Sequence, residues 1–344
     1  MCFPKGLLRE RSDHREPMRG LPPVRQQGPC GQRCTDRQAP SSARPPNCLG
    51  MRAYNETAVP GEDLHFYGFD LQNYEHSHQL LLEEMRKHDL DTTELESLGE
   101  LRERVSGDLD RDLVAATYED VHQQLESLPD DDTALALQLV DCLLRNDELG
   151  RADNAPESYG VRDRLMAQNV LWILAQEERR SNQRVLVSTH NGHIEQAGTY
   201  GPDAKVMGAL LSDKLGDGYY AIGTDFFRAE VNLPKGGGKR MTHTFFSHDP
   251  LAHAASRCGF ERCWLDFASV PGDSPLRPCI DEPIMMGSVG EGFNPLMYVL
   301  PQTYRVRREP SGPYCMIFVP YAHPTEIRPP RWLMRPQTAQ RFVA

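Results

Sequence analysis

The chain has 344 residues, 49 acidic side chains against 38 basic ones, a formal net charge of -11 at pH 7, and 39% hydrophobic residues. That is enough chain for one large domain or two modest ones, and too well supplied with apolar residues for a wholly disordered polymer. No window approaches the roughly 20 apolar residues that span a bilayer. The acidic balance argues against a nucleic-acid binder that works by neutralising phosphates, because that needs a surplus of Lys and Arg on the binding face.

Two compositions share the chain. Residues 1–50 hold nine Lys/Arg against four Asp/Glu, eight of the 27 prolines, and four of the nine cysteines, Cys2, Cys30, Cys34 and Cys48. They show no apolar period of 2 or 3.6, so this segment reads as disordered or as a misread start. It has no apolar stretch of a secretory signal, and its prolines argue against an amphipathic transit helix. Cys30 and Cys34 lack a matching pair at zinc-finger spacing, and an odd total of nine argues against a complete disulfide framework, which points to a reducing cytoplasm.

The rest predicts an α/β fold, a largely parallel sheet flanked by helices with a helical cap. Its domain spans residues 51–330, and the Pro- and Arg-rich chain is expected to fray from Pro320 onward, with 331–344 as the frayed tail. Leu64 to Asp70 is apolar and aromatic and ends at a turn, which predicts a short buried strand. Residues 73–150 space their apolar residues by three and four, predicting a helical insert with breaks near Leu98-Gly99, Ser106-Gly107 and Pro129 to Asp132. Leu135, Leu139, Val140 and Leu143 line one of its helices. A longer helix is predicted from Glu157 to Arg180, with Val161, Leu165, Met166, Val170, Ile173 and Leu174 on one face. Arg184 to Thr189 predicts a buried strand. A helix near 203–215, a strand over Tyr219 to Phe226, a helix near 250–257 and a strand over Cys263 to Phe267 continue the alternation that implies a parallel sheet. Ligands of such sheets bind beyond the carboxyl ends of strands, where Asp70 and His190 fall.

The turn His190-Asn191-Gly192-His193 delivers two imidazoles and a carboxamide to a strand end. A neutral imidazole there can take a proton from water near pH 7. Two structural histidines capping the next segment fit the spacing equally well. Zinc is a third reading, weakened because the H-E-x-x-H pattern and an obvious third ligand are lacking, so no metal and no cofactor are assigned. Arg162, beside Asp163 near the start of the long helix, is suited to hold a carboxylate or an oxyanion, although taken alone the pair reads as a surface ion pair. Asp70 and Gln72 either contact substrate or orient an imidazole, against the plainer reading of a helix N-cap. Lys235-Gly236-Gly237-Gly238-Lys239 fails the P-loop spacing and reads as a hairpin tip. There is no G-x-S-x-G elbow, which disfavours a Ser-based α/β-hydrolase mechanism.

Four ordered motifs carry a resemblance. They are Met51-Arg52-Ala53-Tyr54-Asn55, Phe66-Tyr67-Gly68-Phe69-Asp70, Arg162-Asp163 followed by Met166, Asn169 and Trp172, and His190-Asn191-Gly192-His193. With Met207-Gly208, the Gly218 to Gly223 strand, Met286-Gly287 and the Met316 to Pro320 strand, the chain resembles the erythromycin esterase family from residue 51 to about 330. The resemblance implies an α/β core with a helical cap, and hydrolysis of a macrolide's lactone ester that gives antibiotic resistance. It implies a His general base that activates water without a required metal. His190 and His193 match the family's His-Asn-Gly-His motif, Arg162 falls in a matching Arg-Asp motif, and Asp70 and Asn191 are candidate substrate contacts.

The same resemblance places a Gly-Glu-x-x-His-Gly turn carrying the main catalytic His well before the Tyr-Gly-Phe-Asp strand. Only 63 residues precede Leu64, and His14, the sole histidine of the first fifty, has no Gly-Glu before it. Basic, Pro- and Cys-rich sequence of this kind is what a shifted reading frame in GC-rich DNA yields. The expectation is therefore a cytoplasmic esterase-type hydrolase acting on a small-molecule ester. The competing expectations are an inactive family member or small-molecule binding module, and a metal-dependent hydrolase built on His190 and His193.

Overall fold

The computed structural model describes residues 46–59, 62–71, 74–104, 110–128, 130–150, 155–201, 204–234, 240–289, 295–300, 305–310 and 314–324. Residues 1–45 of the segment expected to be disordered, and the 331–344 tail, lie outside them. The described chain starts inside that expected segment, because α1 runs Pro46–Asn55 with Pro at its first position, where the missing N–H is no loss.

The acidic insert is a four-helix unit of α2 (Tyr74–Lys87), α3 (Thr93–Arg104), α4 (Arg111–Glu126) and α5 (Asp130–Gly150). Leu81, Met85, Tyr118, Leu125, Leu139 and Val140 meet inside it with almost no exposure. Burying each such side chain stabilises by roughly 1.5–3 kcal/mol. Asp110 starts α4 by accepting the N–H groups of Asp112 and Leu113. The expected break at Leu98-Gly99 is absent. Gly99 sits within α3, and a Cβ there would lie 3.1 Å from His78 Nε2, so this glycine serves close packing of α2 on α3 rather than a turn.

Helix α6 (Ala155–Arg179) buries Leu165, Met166, Val170 and Ile173 as the periodicity demands. After it come α7 (Asn191–Ile194), β1 (Thr199–Gly201), β2 (Ala204–Lys205), α8 (Met207–Leu215), β3 (Ala221–Asp225), β4 (Arg228–Pro234), β5 (Arg240–Phe246), α9 (Pro250–Ala255), β6 (Cys263–Asp266), α10 (Pro278–Asp281), β7 (Ile284–Gly287), β8 (Arg305–Arg308), β9 (Tyr314–Phe318) and β10 (Tyr321–Ala322).

The architecture is mixed α/β, and the expected largely parallel sheet is not what forms. The described strands make four small sheets, ordered β1-β2, β10-β4-β5, β3-β9-β6 and β7-β8. Only β3 with β9 and β10 with β4 run parallel. The reason is local: β4 and β5 are joined across residues 235–239, too few for the crossover that parallel neighbours need, so they pair antiparallel from Arg228↔Phe246 to Pro234↔Arg240. The Lys235 to Lys239 stretch read as a hairpin tip lies outside the described residues. The expected fraying from Pro320 is corrected too. The Pro320 carbonyl accepts the N–H groups of Phe227 and Arg228, and β10 then pairs with β4.

Two expected strands have no ladder. Residues 184–189 form no strand and Leu186 is 91% exposed, so the apolar run that read as buried only sets Val187 against the α6–α8 core. An apolar run becomes a strand only where a partner edge lies alongside, which the pattern alone cannot report. Leu64 to Asp70 is no extended strand either, with a single bridge at His65, and is tied to α6 by side chains. Asn169 Nδ2 donates to the Phe69 carbonyl at 2.9 Å, Tyr67 donates to Glu177 Oε1 at 2.6 Å, and His65 Nδ1 lies 2.8 Å from the same oxygen.

Candidate active site

The site is built where α6, α7, α8 and the carboxyl ends of β3 and β7 meet. His190 has extended backbone (φ -74°, ψ 148°), and Asn191 begins α7. The Asn191 carboxamide is buried and behaves as a peptide group added to the free edge of β3. Its Nδ2 donates to the Thr224 carbonyl at 2.6 Å, and its Oδ1 accepts the Thr224 N–H at 3.1 Å. Both ends of this side chain are therefore engaged in docking α7.

His193 faces the fully buried carboxylate of Asp163 on α6. Its Nδ1 lies 2.8 Å from Oδ1 and 3.0 Å from Oδ2. A carboxylate only accepts, so Nδ1 carries the proton and Nε2 is left with a free lone pair. Asp163 also accepts the N–H of Met207, the first residue of α8, at 2.8 Å. Gly208 then lets α8 cross α7 closely, since a Cβ there would stand 2.3 Å from the carbonyl carbon and oxygen of Ile194. That same Ile194 carbonyl accepts the Tyr219 hydroxyl at 2.8 Å. One acid thus joins three segments, and reading Arg162-Asp163 as a plain surface ion pair fails for its second member, which is not on the surface.

His190 stands beside His193 with ring centroids 6.4 Å apart. Loss of water around the ring, and then the neighbouring His193, hold its pKa below the ordinary 6.5, against a hydrogen bond to the Val289 backbone that works the other way. Ser288, one residue past β7, places Oγ 3.3 Å from His190 Nδ1 and 3.2 Å from Nε2. Ser288 is itself positioned from below. Asp225, buried at the end of β3, accepts the Gly287 N–H at 3.1 Å and the Phe226 N–H at 2.7 Å on Oδ1, and the Ser247 hydroxyl at 2.9 Å on Oδ2. A Cβ at Gly287 would lie 2.7 Å from that Oδ1, so only glycine fits between. Burial pushes the Asp225 carboxyl up to about 7, with the buried Asp249 adding to the rise.

The carboxylate that Arg162 holds belongs to the protein itself. Arg162 Nε and Nη2 donate to Asp70 Oδ1 and Oδ2 at 3.0 and 2.6 Å, a bidentate pair that raises the guanidinium's pKa further. Asp70 also accepts the Leu71 N–H at 2.8 Å, so it acts in its local turn as well. The rings of Tyr159 and Tyr200, 5.5 Å apart, lie on the same side, with the Tyr200 hydroxyl 3.5 Å from Asp163 Oδ1. Gln72 lies outside the described residues. Among the described residues no group of three His, Cys, Asp or Glu side chains is arranged to hold a metal ion.

The structure thus brings His190, His193 and Asn191 together on one short segment and sets Arg162, paired with Asp70, one residue from the acid that holds His193. The sequence reading missed Asp163 as the partner of His193, and it missed Ser288 and Asp225. The available signals were the acid adjoining Arg162 on the helix and the Asp near the end of the strand predicted over Tyr219 to Phe226; Ser288 follows a strand that the residues had not suggested.

A family model described as erythromycin esterase matches residues 50–304. No curated protein matches the chain. Among solved structures, one described as a succinoglycan biosynthesis protein is 15% identical, with 81% of this chain and 70% of that one covered and a TM-score of 0.64. A Bacillus cereus protein is 16% identical over 81% and 71% of the two chains, with a TM-score of 0.60. An erythromycin esterase mutant in its open conformation is 15% identical over 76% and 70%, with a TM-score of 0.52. At such identities the likeness to these three is one of fold.

Proposed function

The chain belongs to the erythromycin esterase family, and on that premise we propose that it hydrolyses a carboxylic ester, with the lactone of a macrolide as the favoured substrate and drug resistance as the consequence. The observation that carries the reading is the Asp163–His193 pair, an imidazole held by a buried carboxylate at 2.8 Å whose second nitrogen has no hydrogen-bond partner among the described residues. In this reading His193 Nε2 takes a proton from water as the water oxygen attacks the ester carbonyl. Asp163 fixes the tautomer and steadies the imidazolium that forms, and the proton then passes to the departing alcohol. The lowered pKa of His190 supports the role, because a neutral neighbour does not oppose protonation of His193. Arg162, fixed by Asp70, adds positive charge beside the site where an oxyanion develops.

A second reading, a small-molecule binder without turnover, is favoured by one observation: the Arg162 guanidinium is already occupied bidentately by Asp70, which leaves less of it for a substrate. Incubation of the purified protein with a panel of macrolides, followed by mass spectrometry for a product heavier by one water, decides between the two. Product that disappears with His193→Ala supports the esterase. Ligand-induced thermal stabilisation without product supports the binder.

A further inference from the structure

The proposed hydrolysis leaves two tyrosines beside the Arg162–Asp70 pair without a role. Tyr159 lies on α6 one helical turn before Arg162 and Asp163, so the three side chains leave the helix on one side. It is half-exposed. Tyr200, on β1, meets it ring to ring, with centroids 5.5 Å apart and planes inclined at 47°. The Tyr200 hydroxyl reaches back to Asp163 Oδ1 at 3.5 Å, the same oxygen that faces His193 Nδ1. Burial, and then the Asp163 charge, push the pKa of that hydroxyl up, so it stays a donor. The two rings thus make a continuous aromatic surface that starts at the carboxylate holding His193 and ends in solvent. A surface tyrosine alone calls for no explanation, but this pair is set in place. β1 and β2 pair antiparallel and seat on α6 at Gly160, where a Cβ would stand 2.8 Å from the Ala204 Cβ. The Thr199 hydroxyl donates to the Ala204 carbonyl at 3.1 Å, and the Val206 N–H to the Gly198 carbonyl at 3.1 Å, which ties the two strands to each other. Tyr200 is therefore held against α6 by a fixed backbone.

Resting on the esterase reading, we infer that Tyr159 and Tyr200 form a platform that takes a flat apolar ring carried by the ester and so orients the ester toward His193. An apolar surface bordered by a few polar groups, here Arg162 and Asp70, is how small-molecule sites are built. A ring laid on the platform gains contact with the tyrosine rings that a short open chain cannot make, which sets a preference for ring-bearing esters. That contact lies away from the reacting carbonyl and is made equally before and at the transition state. It therefore acts on KM and not on kcat.

The test uses the full-length chain with naphthyl acetate, ethyl acetate, and methyl naphthyl ketone, which carries the same ring and cannot be hydrolysed. Tyr159→Ala should raise KM for naphthyl acetate by about 10-fold, with a far smaller effect on ethyl acetate and kcat little changed. Calorimetry should show ketone binding weakened by a similar factor. Tyr159→Phe, which keeps the ring, should restore both values. A KM for naphthyl acetate and a ketone Kd within twofold of the parent in Tyr159→Ala overturn the proposal, as does an equal loss on ethyl acetate, and either result leaves the esterase reading standing. If the parent hydrolyses no ester, that reading falls and the ketone alone judges the platform. Binding that weakens about 10-fold in Tyr159→Ala and returns in Tyr159→Phe upholds it. A parent that binds no ketone, or a Tyr159→Ala variant that binds it as well as the parent, overturns it.

Discussion

Asp225→Asn isolates the cost of keeping an acid under the site. In the folded chain Asp225 accepts three hydrogen bonds, yet burial raises its carboxyl to about 7, against 3.8 when free. Between those values the folded protein holds a proton that the unfolded chain has released, so folding takes up a proton and stability falls as pH rises. At about 1.4 kcal/mol per unit, the fall from pH 5 to pH 7 amounts to at most ~3 kcal/mol, and it levels off above the folded value. Asparagine keeps Oδ1 for the two backbone N–H groups and donates from Nδ2 to Ser247, whose hydroxyl can reverse its role. Urea unfolding of both proteins, followed by circular dichroism between about pH 5 and pH 8, should therefore give curves that diverge as pH rises. The variant should gain on the parent by roughly 1–3 kcal/mol once relaxation is allowed for. Asp249, whose carboxyl is also raised by burial, slopes both curves, and since its charge adds to the rise of Asp225 the difference between them includes the loss of that repulsion. A difference that stays constant across the range would refute the reasoning, because it would mean that Asp225 ionises in the folded chain as it does in water.

Other outcomes follow from the same geometry. Asp163→Asn should cost roughly 10²–10⁴ in kcat for ester hydrolysis with KM little changed, since it deprives His193 of the acceptor that fixes its tautomer; unchanged kcat in steady-state assays would remove His193 from the role of base. Gly208→Ala must push α8 off the Ile194 backbone and should destabilise by about 1–3 kcal/mol in denaturant melts, with ester turnover falling further than stability; a melt equal to the parent's would contradict the crossing. Leu186→Lys should leave stability within about 0.5 kcal/mol, as its side chain is exposed, whereas a large loss would show that residues 184–189 are covered in solution.

How much of this the residues announced depends on which kind of contact decided the outcome. The long helix, the helical insert and α9 were legible because each depends on its own periodicity and caps, as with Asp249 accepting the Leu251 N–H at the start of α9, whereas the runs read as β3 and β6 are strands because β9 lies alongside both. Residues 184–189 were misread because a strand needs a neighbour, and a run such as Val185-Leu186-Val187 carries no record of one. Gly99 was misread for the converse reason: a glycine that admits a neighbouring histidine looks, in one dimension, like one that ends a helix. The His190 to His193 turn was visible as chemistry, whereas its partners Asp163, Thr224 and Ser288 lie 30, 33 and 98 residues away in sequence and only folding brings them together.

The hub at Asp163 also bears on the order in which the protein acquires its parts. Its two anchors, His193 and the Met207 amide, close loops of 30 and 44 residues, whereas each helix forms on contacts within its own turns and α4 packs on α5, its neighbour in the chain. Loop closure must be met before distant contacts return anything, so these helices can form while the imidazole still lacks its acid. A refolding chain should therefore recover its helical signal well ahead of its chemistry. Any lesion that loosens the clamp would leave a protein that looks folded by spectroscopy and is blank at its site.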